Sequence, residues 1–172
     1  PAVNFKVNIM LHLLTITPDL LALQLPGSNP ERPPCWQLQA RCTGSDKDSC
    51  VFLQQVLQLS KTDKRDGLAA LQAMAKLFQV AATGHPLERF YDKKQCHESH
   101  VFNHKGATHK VWRIRQGAVR IYFYYASGKI IYLSAVTAKR TDRLSKADKK
   151  RLEDEIALYL EAKASNTLVA VS

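Results

Sequence analysis

The chain has 172 residues, and its 45% hydrophobic and 23% charged content is typical of one globular domain rather than of a disordered chain. It contains no run of about 18 apolar residues, which argues against a membrane-spanning helix. The net charge of +10 is concentrated in residues 89–151, where 16 Lys and Arg stand against 4 Asp and Glu. This excess predicts a polyanionic partner, most simply nucleic acid, although an acidic protein or a solvated basic surface would fit the same charge.

The first 34 residues are predicted to form an accessory segment. Residues 3–13 alternate apolar and polar side chains, which indicates a strand and not the apolar run of a signal peptide. Thr17 and Pro18 then give a helix-start pattern, although a second strand would fit nearly as well. Residues 26–34 contain four prolines and a glycine, so we expect a linker between this β-rich extension (1–34) and the main domain.

The main domain is predicted to span residues 35–163. Residues 35–42 alternate as a short strand with one buried face. Two helices follow, and one apolar stripe runs along each of them: Phe52, Val56 and Leu59 in the first, Leu68, Leu71, Ala75 and Phe78 in the second. Residues 85–110 show little periodicity and are predicted to be mostly loop.

Three strands and a helix complete the predicted domain. Gln116-Gly117 and residues 126–129 are turn sequences, so residues 111–136 are expected to form an antiparallel meander. Residues 145–148 match a capping box ahead of a C-terminal helix, and residues 164–172 are expected to be a tail. The predicted fold is therefore α+β: a small antiparallel meander sheet with two helices packed on one face and a C-terminal helix, plus the N-terminal β-rich extension.

The strands of the meander carry an unusual amount of positive charge. Period-two alternation places the apolar residues of 111–125 on one face, and the sequence TAKRTDR adds cations where the sheet ends. The basic and aromatic residues expected on the opposite face or at that end are Arg113, Arg115, Arg120, Tyr122, Tyr124, Lys139, Arg140 and Arg143. Guanidinium groups bind phosphate oxygens, and tyrosine rings stack on bases, so we expect a platform that faces phosphate.

Residues 110–140, KVWRIRQGAVRIYFYYASGKIIYLSAVTAKR, are followed by the capped helix. Together they resemble the core of the RelE/ParE superfamily of toxins from bacterial toxin–antitoxin systems, in particular its phage-derived, host-killer-like branch. In that family a basic strand turns at a glycine into a strand of the YR-φ-φ-Y type, and a third strand ends in KR or KK before the C-terminal helix. The resemblance covers about residues 85–163, and the order of the two preceding helices agrees with it.

The resemblance implies a ribosome-dependent, metal-independent mRNA endonuclease, in which a ribose 2′-hydroxyl attacks the adjacent phosphate. Such chemistry needs a base, cations for the phosphate charge and an acid for the leaving 5′-oxygen. On the family pattern, Arg120 would bind the scissile phosphate, and Arg140 would stabilise it or act as the acid. Arg113 takes a position usually held by lysine, and Arg115 matches a basic neighbour.

Two positions depart from the family pattern. Val111 stands where a second catalytic lysine is expected, with Lys110 or His109 as the nearest substitutes, and Lys146 stands where a substrate-orienting tyrosine is expected. The predicted catalytic residues are Arg120, Arg140, Arg113 and His109, although His109 is equally consistent with a surface histidine of no role. The predicted RNA-binding residues are Arg115, Tyr122, Tyr124, Lys110, Lys139, Arg143 and Lys146.

The resemblance also implies partners and a location. It implies an acidic antitoxin protein, mRNA and the ribosome as partners, a cytoplasmic location, and neither a cofactor nor a membrane. Two rival hypotheses keep the same fold. The first is a ParE-like, non-enzymatic inhibitor of DNA gyrase, which Val111 and Lys146 favour. The second is a module that binds nucleic acid without cleaving it.

The cysteines and histidines offer two further hypotheses. Cys35, Cys42, Cys50 and Cys96 show no paired spacing and are predicted to be reduced thiols, although Cys35 and Cys42 could bridge in an oxidising compartment. His100 and His104 would share one face of a helix, and Cys96 could join them as zinc ligands, but no second ligand pair follows. We therefore predict no metal site and interpret His97, His100, His104 and His109 as histidines scattered in a basic loop.

Overall fold

The computed structural model describes residues 10–27, 34–140 and 143–172. Within these ranges seven strands form one sheet, accompanied by three α-helices. The strands are β1 Leu11–Thr15, β2 Gln37–Cys42, β3 Cys96–His104, β4 Ala107–Gln116, β5 Val119–Ala126, β6 Ile130–Ala138 and β7 Leu168–Val171. The α-helices are α1 Val51–Thr62, α2 Lys64–Ala81 and α3 Lys146–Ala164, and single 3₁₀ turns lie at Pro18–Leu21, Lys47–Ser49 and Leu87–Phe90.

The sheet has the strand order β3-β4-β5-β6-β2-β1-β7. Neighbouring strands from β3 to β6 are antiparallel, as are β2 and β1, whereas β6 with β2 and β1 with β7 are parallel. The predicted α+β class is confirmed, and the predicted meander is present as β4, β5 and β6. The small, purely antiparallel sheet is wrong in extent, because further strands pair onto the meander and two of the pairings are parallel.

Both ends of the described chain contribute strands to this sheet. β1 lies between β2 and β7, and its Leu13 and Leu14 are buried. β7 falls within residues 164–172, so the predicted tail is wrong for these apolar residues. The predicted strand 3–13 overlaps β1 only at its end; residues 1–9, and residues 28–33 of the predicted linker, lie outside the described residues. The division of the chain at residue 34 stays a prediction.

β3 and the first half of β4 replace the loop predicted for residues 85–110. Only Cys96 is buried along β3, because this strand forms the edge of the sheet. A β-bulge between Glu98 and His100 also shifts the alternation by one residue. Edge exposure and the bulge together remove the period-two pattern on which a strand prediction depends.

The helices form two layers, one on each side of the sheet. α1 and α2 cover the face that carries Ile114, Ile121 and Phe123. α3 covers the opposite face, where its Ile156 and Tyr159 belong to a second buried cluster. The centre of the sheet is therefore buried on both sides, and the face expected to be open to a ligand is largely closed.

The buried stripe of α2 differs from the predicted one. Ala70, Met74 and Leu77 are buried, whereas Leu68 is 58% exposed. Because α2 carries alanines around much of its circumference, more than one stripe fits its sequence. The helix starts are better specified: Asp63 accepts N–H bonds in the first turn of α2, and Ser145 accepts the N–H of Asp148 in α3, as the capping pattern predicted.

β2 and β6 pair over only three residues each, residues 37–39 against 130–132. Beyond these residues the N–H of Val136 in β6 donates to Oε1 of Gln55 in α1 at 2.9 Å. A cleft of about 540 Å³ lies beside this part of β6, between α1 and α3. We refer to the short pairing and the gap beyond it as the β2–β6 seam.

Gly67→Ala is expected to lower the free energy of unfolding by up to about 2 kcal/mol. A Cβ at residue 67 would lie 2.6 Å from Cα of Ser60, where α1 and α2 approach each other. Overpacking of this kind costs about 1–3 kcal/mol, against roughly 1 kcal/mol that Ala gains over Gly inside a helix. Urea denaturation measures the difference. Gly44→Ala is the control, since its Cβ would have no neighbour nearer than 3.7 Å, and equal loss in both variants would contradict the close approach.

Candidate nucleic-acid interface

Most of the predicted site residues gather at one end of the sheet. There β4 ends, β5 begins and β6 ends, with Arg115, Arg120 and Thr137 side by side in register. The β4–β5 turn passes through Gly117 at φ 56°, a left-handed conformation that glycine adopts without strain. We call this region the basic end; its cations are Arg113, Arg115, Arg120, Lys139, Arg143 and Lys146.

The alternation predicted for β4 and β5 is present. Trp112, Ile114, Val119, Ile121, Phe123 and Tyr125 belong to the core under α1 and α2. Val111 and Tyr122 belong to the cluster under α3. Arg113, Arg115 and Arg120 stand an even number of residues from them on the same strands, so these arginines are on the α3 side as well. The faces were thus assigned correctly, but α3 covers part of the face that was expected to be open.

Tyr122 packs beneath α3, and Arg120 lies on the same face of β5; they are 1% and 4% exposed. Nη1 of Arg120 donates to the carbonyl oxygens of Gly117 at 2.7 Å and Val119 at 3.1 Å, so its guanidinium holds the β4–β5 turn. Burial raises the pKa of Tyr122, and the charges of Arg113 and Arg120 partly offset this rise. Neither Arg120 nor Tyr122 presents its side chain at the surface.

Arg113 and Arg115 are the accessible arginines of the two paired strands. Arg115 is exposed, and Arg113 is half-buried. Nε of Arg113 is buried without a hydrogen-bond partner among the described residues. An unpaired buried donor is costly, so the position of the Arg113 guanidinium is not explained by hydrogen bonds within the described residues.

Arg140 lies on the other side of the sheet from Arg120. Its Nη2 is 2.8 Å from Oδ2 of Asp66 and 3.6 Å from Oδ2 of Asp63, both at the start of α2. Asp66 is only 4% exposed, so this ion pair neutralises a buried carboxylate. Arg120 and Arg140, which the resemblance assigns to one phosphate, are therefore not brought together.

The predicted lysines fall into two groups. Lys139 is 15% exposed and lies 3.6 Å from Asp148 of α3, whereas Lys146 and Arg143 are exposed and have no ion-pair partner in the described part of the chain. Lys110 projects from the Trp112 side of β4 and pairs with Glu98. The accessible cations of the basic end are thus Arg113, Arg115, Arg143 and Lys146.

His109 is separated from the basic end. It stands six residues before Arg115 on β4, which corresponds to about 20 Å along an extended strand. Its Nδ1 lies 2.9 Å from the hydroxyl of Tyr124, and burial lowers its pKa. Tyr124 is half-buried at the same place, so neither residue shares a surface with Arg115.

A different histidine lies at the basic end and was not selected from the sequence. His97 in β3 is the register partner of Arg113, so the two side chains stand on the same face. Nδ1 of His97 lies 2.9 Å from the carbonyl oxygen of Lys93. A carbonyl only accepts, so this contact places a proton on Nδ1 and leaves Nε2 as the acceptor when the ring is neutral. The signal was hidden because residues 85–110 were predicted to be loop, which gives His97 no partner strand.

The histidines and Cys96 do not converge. Cys96 is buried in the core under α1 and α2, where burial raises its pKa to about 12, whereas His100 and His104 approach Glu153 and Glu161 of α3. Among the described residues, no group of three or more His, Cys, Asp or Glu side chains is arranged to hold a metal ion.

Comparison of the chain with known protein families and with curated proteins finds no match to either. Across the described ranges, none of the helices combines the length and apolar character required to cross a membrane.

Arg140→Ala is expected to lower the free energy of unfolding by about 1–3 kcal/mol, because it leaves the buried Asp66 without its cation. Adding Asp66→Asn should recover part of the loss, since a neutral amide needs no counter-charge. Chemical denaturation of the single and double variants measures both effects. A single variant as stable as the parent would contradict a structural role for the pair.

Stability is expected to fall as the pH is lowered from about 7 to about 5. Burial lowers the pKa of both His100 and His109, so the folded chain binds fewer protons than the unfolded chain below their ordinary pKa of about 6.5. The stabilisation is therefore present above that value and is lost as the pH drops through the window. Denaturation midpoints across this range should show a smaller slope for His100→Gln/His109→Gln. An unchanged slope would contradict the attribution of this pH dependence to His100 and His109.

Proposed function

We propose that this protein is a toxin of the RelE/ParE type that binds messenger RNA at its basic end and cleaves it without a metal. The elements β2, α1, α2, β4, β5, β6 and α3 follow one another as the resemblance leads us to expect, with β3 inserted between α2 and β4, and this partial agreement supports the proposal. The single observation that carries it is the convergence of His97 with Arg113 and Arg115 on one face at the basic end. A cytoplasmic location and an acidic antitoxin partner belong to the same proposal.

Phosphate binding falls to the accessible cations. Arg113 and Arg115 project from β4, while Arg143 and Lys146 lie at the start of α3. Because phosphate charge dominates the affinity of nucleic-acid binding, these four side chains are sufficient to orient a single strand across the end of the sheet. Arg120 takes a positioning role instead, since its bonds to Gly117 and Val119 fix the turn that aligns Arg115.

In this proposal His97 is the base that removes the proton of the ribose 2′-hydroxyl. With its proton held on Nδ1 by the Lys93 carbonyl, Nε2 can accept the proton of a ribose 2′-hydroxyl. The 2′-oxygen then attacks the adjacent phosphorus while the guanidinium of Arg113 stabilises the added negative charge. The bond from phosphorus to the 5′-oxygen breaks, which leaves a 2′,3′-cyclic phosphate; the 5′-oxygen takes a proton from water, and the imidazolium of His97 returns its proton to solvent. His97 replaces His109 in this role because His109 lies about 20 Å further along the sheet.

Non-enzymatic inhibition of DNA gyrase is the second candidate. The observation that favours it concerns the two arginines which the family pattern assigns to catalysis. Arg120 is buried against backbone carbonyls, and Arg140 is engaged by Asp66. A surface that retains positive charge but lacks these two groups would suit binding without cleavage.

The experiment combines cleavage with binding. The protein is induced in bacteria and the 5′ ends of translated messages are mapped, and binding of single-stranded RNA to purified protein is measured by fluorescence anisotropy at several salt concentrations. His97→Gln should lower cleavage about 10²–10⁴-fold without changing RNA affinity. His109→Gln is the matched control, since it removes an imidazole from the same sheet away from the basic end.

A second pair of variants tests the binding surface. Arg115→Gln/Lys146→Gln should weaken RNA binding and reduce the salt slope by about 1.4, the loss of two phosphate contacts on a single strand. Lys105→Gln/Lys163→Gln is the matched control, because it removes the same charge from other parts of the protein: in both doubles two positive charges are lost from +10, leaving +8. DNA supercoiling by gyrase is assayed alongside. Intact messages together with blocked supercoiling would contradict the nuclease and support the gyrase inhibitor. Binding without either effect would leave a nucleic-acid-binding module.

A further inference from the structure

Two of the four cysteines face each other in the fold. Cys42 ends β2 and Cys50 immediately precedes α1, and the two residues form an antiparallel β-bridge. The N–H of Thr43 donates to the carbonyl oxygen of Ser49 at 3.0 Å, which makes Cys42 and Cys50 the pair that is not directly hydrogen-bonded. In such a pair the Cα atoms typically lie about 4.5 Å apart, within the roughly 4.4–6.8 Å that a disulfide requires.

The side chains point the same way as well. Cys42 and Cys50 are 2% and 0% exposed and belong to the same core cluster under α1 and α2. Both are free thiols in this structure. The bridge geometry is therefore compatible with a bond between the two sulfurs.

The intervening turn, residues 43–49, is held in place without a cross-link. The Asp46 side chain accepts the N–H of Ser49, and Oγ of Ser49 donates to the Asp46 carbonyl and accepts the N–H of Gly44. The backbone thus brings the two cysteines together through its own hydrogen bonds. A disulfide formed there would lock a geometry that already exists.

The other two cysteines are excluded by distance. Cys96 lies on β3, four strands away from β2, which corresponds to about 19 Å across the sheet. Cys35 precedes β2 by two residues and is exposed, and the seven residues to Cys42 span about 23 Å of extended chain. The bridge between Cys35 and Cys42 that the sequence left open is therefore not compatible with β2.

We propose that Cys42 and Cys50 are an oxidation site that forms an intramolecular disulfide with a small-molecule disulfide, such as oxidised glutathione, as the oxidant. One thiolate attacks the oxidant and releases one reduced glutathione, which gives a mixed disulfide on the protein. The second thiolate attacks the protein sulfur of that mixed disulfide and releases the second glutathione. The two electrons and two protons lost by the cysteines are carried by the two glutathione thiols.

Formation of the bond is coupled to folding. Burial raises the pKa of Cys50 to about 11 and that of Cys42 in the same direction, so few thiolates exist in the folded protein. Oxidation is therefore slow in the folded chain and fast during refolding, when both sulfurs are accessible. Folding and disulfide formation are linked equilibria. The factor by which folding raises the equilibrium constant for the disulfide is therefore the factor by which the disulfide raises the equilibrium constant for folding.

The test refolds the full chain in a glutathione redox buffer, traps free thiols by alkylation and maps the disulfides by mass spectrometry. We expect a bond between Cys42 and Cys50, an equilibrium constant for its formation roughly 10–100-fold higher in the folded than in the urea-unfolded chain, and a Tm roughly 5–10 °C higher when oxidised. The variant Cys35→Ser/Cys96→Ser retains only the pair and should behave like the parent. Cys42→Ser should abolish both the bond and the reductant-dependent change in Tm.

The parent chain alone keeps the proposal falsifiable if a variant does not fold, because its Tm is measured with and without reductant. A folded parent that leaves both thiols reduced in this buffer would overturn the proposal. So would a predominant bond through Cys35 or Cys96, or an oxidised form of lower Tm than the reduced form. The proposal does not depend on RNA binding or cleavage, so failure of either leaves it unaffected.

Discussion

The carboxylate of Glu155 in α3 organises the second face of the sheet. It accepts from Nε of Arg41 at 2.7 Å and from the hydroxyl of Tyr132 at 3.1 Å, and thereby joins α3 to β2 and β6. The Tyr132 ring stacks on Tyr159 of α3 with centroids 4.7 Å apart, and burial raises the pKa of Tyr132 well above its usual value. This partly buried ion pair and the Tyr132 contacts fix α3 against both β2 and β6. The position of α3 in turn determines how much of this face is accessible, since the helix covers Val111 and Tyr122 but leaves Arg115 exposed.

The sequence predicted well those features that depend on neighbouring residues. The alternation of β4 and β5, the turn at Gly117 and the cap at Ser145 are encoded within a few residues, and each is present. The sequence did not reveal what covers each face, because that depends on where a distant helix packs. β3 was missed for a related reason: an exposed edge strand with a bulge carries no regular apolar pattern, and its partner strand supplies the order that its own sequence lacks.

The candidate site illustrates the same limit for charge. Arg140 lies in the stretch 89–151, where 16 Lys and Arg stand against 4 Asp and Glu, yet its partner Asp66 comes from 74 residues earlier in the chain. For His97 the neighbouring sequence gives no indication of a site. Its place at the basic end follows only from the pairing of β3 with β4, which sets it opposite Arg113. The composition identifies the positively charged half of the chain, but the register of the strands determines which of its cations lie on one surface.

The β2–β6 seam divides the sheet into an antiparallel part, β3 to β6, and a second part made of β2, β1 and β7. The antiparallel strands β3 to β6 pair along most of their length, with two bulges, whereas β2 pairs with β6 through only three residues of each strand. Few backbone bonds need to break for the seam to open, so it is the natural boundary between two units of local unfolding. In hydrogen exchange the amides of β5 would then report global unfolding, while those of β6 beside Gln55 would exchange through a smaller opening. The cleft lies at this boundary, beside the stretch of β6 that has lost β2 as its hydrogen-bonding neighbour.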